Sequence, residues 1–279
     1  MFSPLKRLWV LTRDLVIQVE TQSKHARNAR QDANIDWTTM GVLTLAALIL
    51  SILEYYGSST HWKSLEPLVG LFSEEPASTL GAIFADRDYG RLARLTYWSA
   101  TTFLGYFVIP ALFITLIMKH RLRDFGMKLE GALTHWKIYV GLYLLVLPFV
   151  IAVAFHPSFQ RTYPFYQAAD RSLLDFFAWQ LVYAAQFFAL EFFYRGFLIH
   201  GLKARLGIYS IFVSTIPYCM IHFGKPLPET VGAILAGIAL GLLSLYTRSI
   251  WMGVAIHVSV AVTMDITSLA VQGRLPFFQ

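Results

Sequence analysis

The run WKIYVGLYLLVLPFVIAVAF, residues 136–155, contains one charged side chain, Lys137. A helix of about 20 apolar residues is long enough to span the hydrocarbon core of a bilayer. Similar apolar runs occur on both sides of this one, at residues 37–53, 95–118, 172–198, 208–221, 229–246 and 250–269. The sequence therefore predicts an all-α, polytopic bundle of about seven transmembrane helices, because helices satisfy their own backbone hydrogen bonds in lipid.

The composition supports a membrane protein and argues against a soluble one. Hydrophobic residues make up 56% of the chain and charged residues 14%, with a mean hydropathy of +0.52. Soluble domains carry about 25% charged residues. The net charge of +6 does not indicate a nucleic-acid partner, because the basic residues lie beside the apolar runs. The single cysteine, Cys219, excludes an internal disulfide and a multi-cysteine metal site.

The chain divides into three predicted parts. Residues 1–35 form a basic segment, which we expect to be either an amphipathic helix on the inner membrane surface or a solvated amphipathic tail. Residues 36–119 hold the first two spans and the loop between them, and residues 120–279 form the core. The basic residues of the first part are Lys6, Arg7, Arg13, Lys24, Arg27 and Arg30.

Positive charges predict the orientation. If all seven runs cross the membrane, the N-terminus, the 119–128 loop, the Lys203/Arg205 turn and Arg248 fall on one side. Lys and Arg are enriched in cytoplasmic loops. We therefore expect that side, and the N-terminus with it, to be cytoplasmic.

Ionisable side chains inside the apolar runs point to a functional site, since each costs about 2.5–3.5 kcal/mol on insertion scales. Glu191 and Arg195 lie four residues apart and share a helix face. His222 follows the run 208–221, and His257 lies in the last run. A buried ion pair and two packed histidines are the structural alternatives.

One carboxylate and two imidazoles suit two kinds of hydrolytic chemistry. A carboxylate can take a proton from water, and an imidazole can share or relay that proton. Glu191, His222 and His257 could equally form a three-ligand zinc site with an open fourth position. The residues alone leave both chemistries open, so zinc is a possible cofactor.

Three motifs resemble those of the CAAX-protease and bacteriocin-processing (CPBP/Abi) family of intramembrane endopeptidases, relatives of the type II CAAX prenyl protease. The family motifs read EExxxR, FxxxH and Hxxx(N/B). They correspond here to Glu191-x-x-x-Arg195-Gly196, Tyr218-x-x-x-His222 and His257-x-x-x-Ala261. The stretch RDFGM, residues 123–127, is similar to the linker before the family core. The resemblance covers about residues 120–268.

The resemblance implies cleavage of a membrane-associated protein or peptide by activated water. Glu191 would be the general base or a metal ligand, and Arg195 would orient it. His222 would share the water or the metal, and His257 would stabilise the oxyanion or bind the metal. The implied partners are the lipid bilayer and a protein or peptide substrate, with no nucleic acid.

The chain departs from the family pattern at three positions, of which the replacement of Phe by Tyr218 is a mild change. Leu190 stands where the first Glu belongs, and Ala261 replaces the Asn or Asp. The segment HFGKP, residues 222–226, and Asp265 resemble a bacterial branch with a single Glu, which implies the bacterial inner membrane. The alternatives are a non-catalytic scaffold or bacteriocin-immunity factor on a degenerate protease fold, and a proton or ion relay.

Overall fold

The structure, a computed structural model, describes residues 4–29 and 36–276, so Arg30 lies outside the described residues. The described residues form helices and short turns, with one isolated bridge between Met127 and Ser249. We label the longer helices α1 (Pro4–Ala29), α2 (Trp37–Gly57), α3 (Gly90–Ile117), α4 (Ala132–Ala154), α5 (Leu173–Leu206), α6 (Tyr209–Met220), α7 (Leu227–Thr247) and α8 (Trp251–Val271). The predicted all-α bundle is confirmed.

Six of these helices are long and apolar enough to cross a membrane: α2, α3, α4, α5, α7 and α8. They correspond to six of the seven predicted spans. The remaining predicted run, 208–221, forms α6, which has 12 residues. A helix of that length measures about 18 Å at 1.5 Å per residue. It is too short to span the hydrocarbon core by itself, because a span needs about 20 residues.

The described residues group into two compact units. The first draws on residues 1–47, 110–136 and 191–253, and the second on 48–109, 137–190 and 254–279. The units reflect contacts in space, so the predicted division of the sequence at residues 35 and 119 stays a prediction.

Helix α1 belongs to the first unit, where it packs against the ends of later helices. The carboxylate oxygen Oε1 of Glu20 accepts a hydrogen bond from the Ile208 backbone N–H at 2.8 Å, and Ser23 Oγ donates to the Ala204 carbonyl at 3.3 Å. The apolar cluster beside these bonds consists of Leu15, Val19, Ile199, Ile211 and Leu245. The predicted N-terminal helix is therefore present, while its position on the membrane surface stays a prediction.

The basic segments of the first unit meet at one end of it. The Ile250 N–H donates to the Gly126 carbonyl at 2.9 Å, which joins the 119–128 loop to the turn after α7. Arg248 lies in that turn. Helix α1 contacts the C-terminal end of α5 through Ser23 and Ala204. Helix α6 must therefore run away from this end and α7 must return to it. The predicted placement of these basic segments on one side of the membrane, and the compartment that they face, stay predictions.

Helices α6 and α7 pack closely through glycines of α7. A Cβ atom added at Gly237 would lie 2.9 Å from the side chain of Thr215, and one at Gly241 would lie 2.9 Å from Ile211. Both distances are well below ordinary van der Waals contact. In lipid, where the hydrophobic effect does not drive helix association, such close packing supplies the attraction between helices.

The core of the second unit is rich in aromatic rings from the first half of α5. Trp179 stacks on Tyr183 with ring centroids 4.6 Å apart, and Tyr183 contacts Phe187 at 4.5 Å. The Trp179 and Tyr183 rings belong to a buried cluster that also contains Leu95 of α3 and Ala261 of α8. This cluster fixes α3, the first half of α5 and α8 together.

Candidate active site

Glu191 stands at a change of helix type within α5. The helix is α-helical from Leu173 to Glu191 and π-helical from Phe192 to His200. Every residue of the π-helical segment is buried. Such segments are uncommon and are found mostly at functional sites. The change from α-helix to π-helix therefore falls at the position of the sequence motif.

Glu191 and Arg195 form the ion pair that their spacing predicts. Arg195 Nη1 lies 3.3 Å from Glu191 Oε1, and the two residues are 1% and 0% exposed. Removing two charges from solvent costs several kcal/mol per ion, so a buried pair is weak evidence for a purely stabilising role. The cost is easier to explain if the carboxylate is needed as an anion inside the membrane.

The second oxygen of Glu191 lies against the first turn of α8. A Cβ atom added at Gly253 would be 2.8 Å from Glu191 Oε2, so only glycine leaves room for the carboxylate in this position. The first turn of a helix carries a partial positive charge from its free N–H groups. The α8 N-terminus therefore places a partial positive charge beside one oxygen of Glu191, while Arg195 lies beside the other.

Tyr218 of α6 holds the guanidinium of Arg195 from the other side. The Arg195 Cζ atom lies 4.1 Å from the centroid of the Tyr218 ring, a cation–π contact. Among the described residues, neither Nη atom of Arg195 has a hydrogen-bond acceptor in suitable geometry. Buried donors are normally hydrogen-bonded, so the two Nη groups of Arg195 are an exception.

His222 joins the same cluster through Tyr218. Its Nδ1 lies 2.8 Å from the Tyr218 carbonyl oxygen, and the two rings are 5.0 Å apart. A carbonyl can only accept, so Nδ1 carries the proton. In the neutral imidazole, Nε2 then offers a lone pair, which can accept a proton or bind a metal.

His257 lies in the second unit. Its half-buried ring is 4.4 Å from the ring of Phe187. Four residues on, Ala261 packs in the apolar core. Asp265 is fully buried, and its Oδ2 accepts hydrogen bonds from Trp179 Nε1 and Gln180 Nε2 at 2.8 Å each.

Of the predicted site residues, the structure thus brings Glu191, Arg195 and His222 into one cluster of the first unit. The placement of His257 in that site stays a prediction. Leu190, which occupies the position of the missing first Glu, is buried.

The described residues do not form a ready-made metal centre. Zinc in a catalytic site takes three protein ligands at about 2.0–2.2 Å from the metal. No group of three or more His, Cys, Asp or Glu side chains among residues 4–29 and 36–276 is arranged to hold a metal ion. Glu191, His222 and His257 remain the sequence-based candidates for metal ligands.

Two contacts of the candidate site do not follow from the sequence motifs. Gly253 was not singled out, although it lies four residues before His257 and would have stood out as a small residue on that face. Tyr218 was noted as a motif position, but its contact with Arg195 was not. Both contacts join residues far apart in sequence, and a spacing rule on one helix does not reveal them.

The fold and the cluster define a polytopic membrane protein with a buried cluster of Glu, Arg and His side chains. Residues 172–263 match the family model for the type II CAAX prenyl endopeptidases, described as Rce1-like. The match includes Glu191, Arg195, His222 and His257, and it confirms the resemblance to the CAAX-protease family for this part of the chain. The single-Glu branch stays a prediction. No curated protein and no solved structure matches the chain.

Proposed function

We propose that this protein is an intramembrane endopeptidase that hydrolyses a peptide bond in a membrane-associated protein or peptide. The supporting observation is the buried cluster of Glu191, Arg195 and His222 inside the segment that matches a protease family. A paired structural charge alone would not require a buried histidine in the same cluster.

In the proposed reaction, Glu191 takes a proton from a water molecule, whose oxygen attacks the scissile carbonyl carbon. The C–N bond then breaks, and the proton passes to the leaving amine. Arg195 and the first turn of α8 keep the Glu191 carboxylate oriented. The guanidinium N–H groups of Arg195 suit a water or a substrate oxygen next to the carboxylate.

The two histidines take complementary roles in this proposal. His222, held through Nδ1, uses Nε2 to accept the proton that Glu191 has taken from the water and passes that proton to the leaving nitrogen. His257 donates to the oxyanion of the tetrahedral intermediate, as the family resemblance implies. Such an oxyanion donor contributes about 10²–10³ in rate.

The test uses proteoliposomes and an internally quenched peptide that carries a farnesylated C-terminal CAAX sequence, chosen from the description of the matching family. We expect cleavage by the native protein and incorporation of one ¹⁸O atom into the new carboxyl group in H₂¹⁸O. Replacing Glu191 by Gln should lower the cleavage rate at least about 100-fold, since general-base catalysis contributes about 10²–10⁴. The matched control is Glu130→Gln, a carboxylate whose side chain is 64% exposed and which pairs with Arg123.

Folding must be checked because Glu191→Gln leaves the Arg195 charge buried without its counterion. Rates are therefore compared at equal amounts of monodisperse protein. His222→Asn provides a second variant, in which the carboxylate and its ion pair remain. Full cleavage of the peptide by both variants would overturn the proposed mechanism.

The alternative is a non-catalytic scaffold or bacteriocin-immunity factor on the same fold. Two observations favour it: Leu190 is buried where the family has a second carboxylate, and Ala261 lies in an apolar cluster where the family has a polar side chain. This alternative predicts no ¹⁸O incorporation with any peptide substrate and a biological activity that survives Glu191→Gln.

A further inference from the structure

The loop between α2 and α3 exposes a compact apolar surface. It contains short helices at Trp62–Leu65, Glu66–Val69 and Pro76–Phe84. Leu68, Leu71 and Phe72 are 56%, 73% and 86% exposed. Single exposed apolar residues are ordinary, but three large ones within five positions mark a contact surface.

The opposite side of this segment is firmly attached to the second unit. Trp62 stacks on Phe84 with ring centroids 5.1 Å apart, and the edge of Phe84 meets Tyr97 at 6.3 Å. Ser64 Oγ lies 2.8 Å from the hydroxyl of Tyr97. The segment therefore has a fixed orientation, and the outward direction of its apolar surface follows from that packing.

Tyr97 also sets the depth of the segment relative to the spans. It lies seven residues inside α3, about 10 Å from the start of that helix at 1.5 Å per residue. Its hydroxyl donates a hydrogen bond to the carbonyl of Tyr56, the next-to-last residue of α2. Ser64, bonded to the same hydroxyl, is therefore level with the end of the first span, where the chain leaves the hydrocarbon core.

We propose that residues 62–72 form an interfacial element whose Leu68, Leu71 and Phe72 insert into the boundary between lipid headgroups and acyl chains. A half-buried amphipathic segment of this kind places its apolar side about 5–10 Å into that boundary. The exposed Lys63 and Glu74 on either side of the three apolar residues stay at headgroup level.

The lipid surface is favoured as the partner because the loop follows the exposed end of α2, a helix apolar enough to cross a membrane. Tyr55 and Tyr56, at the end of α2, are 72% and 58% exposed. Tyrosine is enriched where a spanning helix meets the membrane surface. The interfacial element begins five residues after α2 ends, at the same level. The inference does not depend on the proposed peptidase activity.

The test measures membrane depth by spin labelling. Cys219 is the single cysteine, so Cys219→Ser gives a background for one introduced cysteine at a time. Labels are placed at Leu71 and at Phe72, with Glu74 as the matched control in the same loop. The full-length protein is reconstituted in phosphatidylethanolamine–phosphatidylglycerol liposomes, and collision rates with oxygen and with a water-soluble nickel chelate are measured.

We expect labels at 71 and 72 to collide more with oxygen than with the nickel chelate, and the label at 74 to show the reverse. Equal nickel collision at all three positions would place the segment in water and overturn the inference. Low collision with both reagents at 71 and 72 would also overturn it, because a protein surface would then cover the patch. Since the three positions are exposed, the labels themselves should not disturb folding.

Discussion

At the residue scale, Arg195 is the most constrained side chain of the candidate site. It is 1% exposed, paired with Glu191 at 3.3 Å and stacked on Tyr218. We expect Arg195→Met to destabilise the protein by about 3–5 kcal/mol, because removing one partner leaves the other charge buried alone. The measurement is the unfolding free energy in detergent micelles.

The control for this prediction is Arg205→Met, an exposed arginine near the end of the same helix. Surface changes of this kind usually stay within about 0.5 kcal/mol. If both variants have the same unfolding free energy, the buried ion pair does not stabilise the protein.

Gly253 permits the observed position of the Glu191 carboxylate. In Gly253→Ala the new methyl group would lie 2.8 Å from Oε2, so the carboxylate must move. A displacement of about 1 Å at a catalytic group can cost about 100-fold in rate. We expect Gly253→Ala to lower kcat on the farnesylated peptide by at least about 10-fold.

The matched control is Gly232→Ala in α7, where a Cβ would meet no atom within 4 Å. This variant should keep its kcat. We also expect Gly253→Ala to lower the melting temperature. Adding Glu191→Asp, which shortens the side chain, should restore part of that decrease. A Gly253→Ala enzyme with native kcat would show that the carboxylate position does not matter.

The sequence predicted Glu191, Arg195 and His222 because their motifs depend on local spacing. A residue four positions away on a helix lies on the same face, and the structure confirms that relation for Glu191 with Arg195 and for Tyr218 with His222. Contacts between helices, such as Gly253 with Glu191, depend on how the helices pack, which one sequence does not specify.

At the element scale, the close packing of α6 and α7 depends on the glycines of α7. In Gly241→Val, the added side chain would start 2.9 Å from Ile211 and 3.0 Å from Ile199. Overpacking of this kind costs about 1–3 kcal/mol. We expect the melting temperature to fall, whereas Gly232→Val in the same helix should show only the small effect of helix propensity. Equal melting temperatures for the two variants would argue against close packing.

The hydropathy of the chain predicted seven spans, and six of them form helices long enough to cross a membrane by themselves. The seventh apolar run, 208–221, forms only the 12-residue α6, because Gly207 turns the chain with φ of +57° just before α6 and the helix ends at Met220. Hydropathy counts apolar residues and does not detect where a helix ends. The same limit explains why the π-helical stretch Phe192–His200 could not be predicted.

At the scale of the whole molecule, the basic segments gathered at one end of the first unit predict the orientation of the protein. In a Cys219→Ser background, we expect Arg205→Cys to react with a membrane-impermeant thiol reagent in inverted inner-membrane vesicles and not in intact spheroplasts. Glu74→Cys, in the loop between α2 and α3, should show the opposite pattern. The expectation follows from the enrichment of Lys and Arg in cytoplasmic loops.

Reaction of Arg205→Cys in intact spheroplasts would reverse the predicted orientation. The contacts among α1, the 119–128 loop and the α7 end would still hold, since they do not depend on the compartment.

The hydrogen bonds of Asp265 have a consequence for the rotational register of α8. One carboxylate oxygen receives donors from two successive residues of α5, Trp179 and Gln180. A slip of α8 by a single residue would rotate its side chains by about 100° and take the carboxylate away from both donors. Apolar side chains tolerate such a slip far better, because dispersion contacts lack direction. Asp265 thus fixes the rotation of α8 about its own axis. That rotation also determines the direction of His257, which lies two turns away on the same helix.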